Sequence, residues 1–122
     1  MVVDVQEQRT DRLFRALADA TRRDIVSRTL LGEQSVSALA RLYPMSFAAV
    51  QKHVAVLETA GLVTKRRNGR EQLVRGNAGV VRDAHRLLDE LETVWRDRID
   101  RFGEVLAVDH PTETTDREGA LP

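Results

Sequence analysis

From Asp11 onward, apolar residues recur at helical spacing, with Leu13, Phe14, Leu17 and Ala18 three and four positions apart. A second helix is predicted over residues 20–31, with Asp19 as its N-cap, Ile25 and Val26 as its stripe with Leu30 at the margin, and Gly32 as its stop. Ser35-Val36-Ser37 reads as a short extended entry, and Ser37 as the cap of a brief helix over 38–43 facing inward through Leu39, Ala40 and Leu42. Pro44 disfavours helical geometry at Tyr43 and ends it. Ser46 then caps a helix reaching Ala60, closed by Gly61. Val50, Val54 and Leu57 at i, i+4 and i+7 give that helix its core face, with His53 on the same side.

The pattern changes at Leu62. Two strands, 62–67 and 71–75, are predicted around an Asn68-Gly69 turn, anchored by Leu62, Val63, Leu73 and Val74. Residues 76–79 connect them to a long helix over 80–106, where Leu87, Leu88, Leu91, Val94, Trp95, Ile99, Phe102 and Val105 recur at three- and four-residue steps. At 1.5 Å per residue such a helix spans about 40 Å, more than so small a core can cover. Its far half asks for a partner, and a second copy of the chain is the natural one. The expected organisation is a flexible N-terminus over 1–10, one folded unit over 11–106 and a disordered acidic tail over 107–122.

A short helix, a tight turn, a second helix and a basic hairpin make a winged helix-turn-helix. The fold class is therefore mainly α (α+β), with a two-stranded β wing and long terminal dimerisation helices. The recognition helix offers Ser46, Phe47, Ala48, Ala49, Gln51 and Lys52 to DNA. Its small residues allow close approach to a groove floor; Gln51 suits an adenine edge and Lys52 a guanine or a phosphate. The wing carries Lys65, Arg66, Arg67 and Arg70, four cations whose mutual repulsion a polyanion would relieve.

Charge distribution sharpens this picture. The net charge is zero. Yet residues 50–76 hold six cations and two anions, a local +4, while residues 103–122 hold one cation and five anions, a local −4. The field at the contact surface decides polyanion binding, not the sum. There is no cysteine, which removes disulfides, thiolate metal ligands and cysteine nucleophiles together. No apolar run reaches the length of a membrane span, and the N-terminus lacks a signal-peptide pattern, so no membrane association and a cytoplasmic location are expected. Three scattered histidines and no Gly-rich phosphate loop leave no nucleophile, base and orienting group to combine, and no enzyme is expected.

Leu17-Ala18-Asp19-Ala20-Thr21-Arg22-Arg23-Asp24-Ile25-Val26 resembles the opening motif of ArsR-type (ArsR/SmtB-like) winged-helix regulators. The stretches 36–40, 46–54 and 57–63 resemble that family's helix-turn-helix signature, so the resemblance covers about residues 11–106. It implies a homodimeric transcriptional repressor that binds an inverted repeat in double-stranded DNA. It also implies dimerisation through the first and last helices, for which Leu13, Phe14, Leu17, Leu91, Val94, Trp95, Ile99 and Phe102 are the candidate residues. Metal-sensing relatives carry Cys-Val-Cys where this chain has Ser35-Val36-Ser37, and serine hydroxyls are poor ligands for soft metals. Asp83-Ala84-His85 matches the start of another zinc site, but Arg96 and Ile99 stand where its remaining ligands would be. The resemblance is to the branch without a metal site, and no metal or other cofactor is expected. An unidentified small-molecule effector and constitutive repression both stay open as modes of control. The competing function is a winged-helix protein-interaction module without DNA, against which the charge on the hairpin argues.

Overall fold

Asp4 opens the first helix by accepting a hydrogen bond from the Glu7 amide at 2.8 Å. The computed structural model describes residues 4–109, and helix α1 runs Val5–Leu17. It begins six residues before the onset of its apolar pattern, because the Asp4 cap and a polar first turn support helix without burial. The chain divides into two units, one through His85 and one from Arg86.

In the first unit, α1 is followed by α2 (Ala20–Leu31), β1 (Gln34–Ser35), α3 (Val36–Ala40), α4 (Phe47–Thr59), β2 (Val63–Asn68) and β3 (Glu71–Gly76). The core is built from Leu13 and Ala16 of α1, Ile25 and Val26 of α2, Leu39 of α3, Val50, Val54 and Leu57 of α4, and Leu62, Val63 and Val74 at the base of the hairpin. Thr29 is the buried polar residue among those described, and its hydroxyl donates to the Ile25 carbonyl at 2.7 Å. Asp19 caps α2 as expected, Ser46 caps α4 by accepting from the Ala49 amide at 3.1 Å, and Gly61 closes α4 at φ +81°.

Three local expectations are corrected. Ser35, not Ser37, caps α3, accepting from the Ala38 amide at 3.0 Å, and the helix ends at Ala40 rather than Tyr43. Pro44 keeps Tyr43 out of helix, and the Tyr43 hydroxyl bonds to α2 instead. The sheet has three strands in the order β1-β3-β2, since Gln34 and Ser35 pair with Val74 and Leu73. The hairpin register pairs Asn68 with Glu71, so its two-residue turn is Gly69-Arg70, one position later than expected, with Gly69 at φ +64°. Glycine takes that left-handed geometry at no steric cost, and the turn forms around it.

The final helix, α5, runs Ala78–Asp109. Asn77 starts it, accepting from the Gly79 and Val80 amides at 3.1 and 3.3 Å. Residues 107–109, expected in the tail, are helical, and the rest of the proposed acidic tail, including His110, lies outside the described residues. In the second unit α5 carries Leu88, Leu91, Trp95, Ile99, Phe102 and Leu106 along one stripe, each between 45 and 64% exposed. Among the described residues no helix is long and apolar enough to cross a membrane.

Candidate nucleic-acid interface

Helix α4 buries Val50, Val54 and Leu57, and this orientation turns a defined stripe outward. Ala48, Gln51, Lys52 and Ala55 are exposed at i, i+3, i+4 and i+7. Phe47 is exposed as well, whereas Ala49 is half-buried and offers less surface than its neighbours. The first turn contains no acidic residue, so the positive end of the helix dipole meets no internal carboxylate.

The wing continues this surface. Lys65 Nζ lies 3.4 Å from Glu58 Oε1, tying β2 to the exposed side of α4. Gln51, Lys65 and Gln72 line one small gap between the helix and the hairpin. Side chains alternate along a strand, so Arg67 shares the face of Lys65 while Arg66 lies on the opposite one. There Arg66 forms a two-pronged bridge to Glu33, Nε to Oε2 and Nη2 to Oε1, each 3.0 Å. These hydrogen bonds hold the Glu33 carboxyl below its usual range, with help from the charges of Arg66 and Arg75. The expected crowd of four repelling cations is thus corrected: Lys65 and Arg66 have carboxylate partners, and Arg67 and Arg70 have none among the described residues.

The support behind α4 is polar. Arg22, in the first turn of α2, donates from Nε to the Ala16 carbonyl at 2.7 Å and from Nη2 to the Arg15 carbonyl at 3.0 Å. Arg23 Nη1 donates to the Leu17 carbonyl at 2.8 Å. The two arginines thereby satisfy the Ala16 and Leu17 carbonyls at the end of α1 and add a second donor to the Arg15 carbonyl, which also accepts from the Ala18 amide. Arg22 Nη1 also reaches His53 Nδ1 on α4 at 3.3 Å, with Asp19 Oδ2 3.9 Å from the same nitrogen. His53 is therefore a packed residue facing α2. Sequence reasoning missed this corner, although Asp-x-x-Arg-Arg after an apolar helix end was its signal.

No family model matches the chain. It is 39% identical over 98 residues to the HTH-type transcriptional regulator Rv2034 of Mycobacterium tuberculosis, an alignment spanning 77% of this chain and 92% of that protein. Its fold matches an ArsR-like transcriptional regulator from Rhodococcus sp. RHA1 with a TM-score of 0.72 and 29% identity, covering 82% of this chain and 94% of that one. The chain belongs to the ArsR family of winged helix-turn-helix transcriptional regulators. A solution structure from Mycobacterium bovis, described as the homodimeric winged helix-turn-helix DNA-binding domain of a possible ArsR-family transcriptional regulator, matches with a TM-score of 0.57 and 26% identity, over 79% of this chain and 86% of that one.

Within the ArsR family, the opening motif of this chain is the Asp19–Arg22–Arg23 corner just described. At the Cys-Val-Cys position, the Ser35 hydroxyl caps α3 and Val36 is core. His85 is exposed and Asp83 half-buried on α5. Of the residues expected at a dimer interface, Leu13 belongs to the core of its own protomer at 6% exposure. Phe14 and Leu17 are half-buried, and Leu91, Val94, Trp95, Ile99 and Phe102 are exposed.

Proposed function

We propose that this ArsR-family chain is a homodimeric repressor that binds an inverted-repeat operator, with α4 in the major groove and the hairpin on the flanking backbone. The observation that carries the reading is the continuity of one surface. The exposed stripe Ala48, Gln51, Lys52 and Ala55 runs through the Glu58–Lys65 contact into the wing face that bears Arg67, with Arg70 at its tip. Gln51 is the residue to read a base edge, while Ser46, Lys52, Arg67 and Arg70 supply phosphate contacts. Phe47 and Ala48 bring apolar surface to the groove, and a thymine methyl is a fitting partner.

The second copy is argued from α5. A stripe including Leu91, Trp95, Ile99 and Phe102, each 46–64% exposed, is a contiguous apolar surface of the kind that marks an interface. Phe14 and Leu17 of α1 are proposed to face the second copy as well. A two-fold dimer places two α4 helices on successive turns of one duplex, about 34 Å apart, which is why an inverted repeat is the expected site. The homodimeric DNA-binding domain from M. bovis supports both halves of this reading.

The test is retardation of a duplex from the protein's own upstream region, with a scrambled duplex as competitor. Specific retardation is expected for the native protein. Gln51→Ala should erode the preference for the operator by about 1–3 kcal/mol while leaving binding to scrambled DNA intact. Absence of any retardation at low salt would overturn the reading.

A further inference from the structure

Glu33 stands at the mouth of the loop between α2 and β1, its side chain only 21% exposed, and occupies both forks of the Arg66 guanidinium at 3.0 Å. A parallel pair of charge-assisted hydrogen bonds is the strongest geometry available to an arginine and a carboxylate. Arg66 also lies on the wing face opposite Lys65 and Arg67, opposed across the hairpin by Leu73, the residue that pairs with Ser35 of β1. The bridge therefore ties β2 to the segment before β1, spanning the sheet from one edge toward the other. Arg67 and Arg70 have no such carboxylate among the described residues.

We infer that Glu33 withholds Arg66 from the DNA backbone, leaving Arg67 and Arg70 as the phosphate-binding cations of the wing, and thereby sets the sequence-independent part of the affinity. This rests on the DNA-binding reading above. A phosphate contact strengthens binding to every sequence alike and carries no base information. Withholding one per protomer lowers affinity for operator and random DNA alike, without touching the contacts of Gln51. The ratio of operator to random binding is unchanged; what falls is the overall affinity and its dependence on salt. Glu33 acts through Arg66 and is a positioning residue that need not touch DNA.

The full-length protein is titrated by fluorescence anisotropy onto an operator duplex and a random duplex of equal length across a salt series. Each phosphate contact contributes about 0.9 to the slope of log K against log salt. Arg67→Gln should flatten the slope by about 0.9 per protomer, and Arg66→Gln should leave it unchanged. Glu33→Gln should steepen it by about 0.9 per protomer and tighten binding to both duplexes by a similar factor. The double variant Glu33→Gln/Arg66→Gln should return to the native slope, since the gain comes from the freed guanidinium and not from a loosened hairpin. The inference is overturned if Arg66→Gln flattens the slope as Arg67→Gln does, if Glu33→Gln changes neither slope nor random-duplex affinity, or if its gain persists in the double variant. Failure of the native protein to bind either duplex would instead bring down the DNA-binding reading itself, and this inference with it.

Discussion

The Tyr43 hydroxyl donates to Asp24 Oδ2 at 2.6 Å, joining the turn that precedes α4 to α2. The same oxygen accepts from Arg28 Nε at 2.7 Å, so one carboxylate holds both the turn and its own helix face. Burial first, and then the bond to Asp24, push the Tyr43 phenol up to about 12. Tyr43 is the single tyrosine, so absorbance at about 295 nm titrates it alone, with an expected midpoint near pH 12 that falls to about 10 in denaturant. The folded value lies above the unfolded one. The stabilisation is therefore complete below pH 10 and lost as pH rises through 12. Tyr43→Phe should cost about 1 kcal/mol in urea unfolding, the usual net worth of one such hydrogen bond.

Acid should act in the opposite sense. The Asp19 carboxyl is held below its usual range by the Arg22 backbone amide first, and the Asp24 carboxyl by the Tyr43 hydroxyl first and Arg28 next. Both folded values lie below the unfolded 3.8, so their stabilisation is present above that pH and lost as pH falls through the folded values. Circular dichroism should show thermal stability declining only below about pH 4 from this source. Asp19→Ala should lower the melting temperature and flatten that decline, whereas Asp19→Asn, which keeps an oxygen at the cap, should lower it less.

Ser46 separates stability from binding. Its side chain caps the N-terminus of α4, the end proposed above to meet DNA. Ser46→Ala should destabilise by about 1 kcal/mol in denaturant unfolding and weaken operator binding as well. Ser46→Asp preserves the cap but sets a negative charge against phosphate. It should keep the melting temperature while losing operator affinity in the anisotropy titration.

The α5 stripe predicts an oligomeric state. Phe102→Glu should convert the protein from dimer to monomer in sedimentation velocity at micromolar concentration, since an unpaired charge in an apolar interface is costly. Trp95 is the single tryptophan and 59% exposed in one chain, so its emission should lie to the blue in the dimer and move red in this variant. A native protein that sediments as a monomer would remove the two-fold operator geometry.

Much of this molecule was legible from spacing. The Asp19 and Ser46 caps, the stop at Gly32, the Val50–Val54–Leu57 core face and the long final helix all follow from local chemistry that neighbouring residues complete within a turn or two. The start of α1 was harder to see because its first turns bury little and leave no apolar period. The hairpin was placed one residue early because Asn68-Gly69 is a turn signal by composition, while the pairing of Asn68 with Glu71 depends on which side chains of β2 and β3 meet the core.

Residue order alone determined the family, the elements of the winged helix-turn-helix and the outward stripe of α4, because periodicity and capping act over a few neighbouring positions. Only the tertiary structure decided which cations of the wing are already neutralised. Glu33 lies 33 residues before Arg66 in the chain, and Glu58 reaches Lys65 only when α4 packs against β2. Charge pairing depends on separation in space, and no spacing along a chain encodes the partner that folding brings into contact.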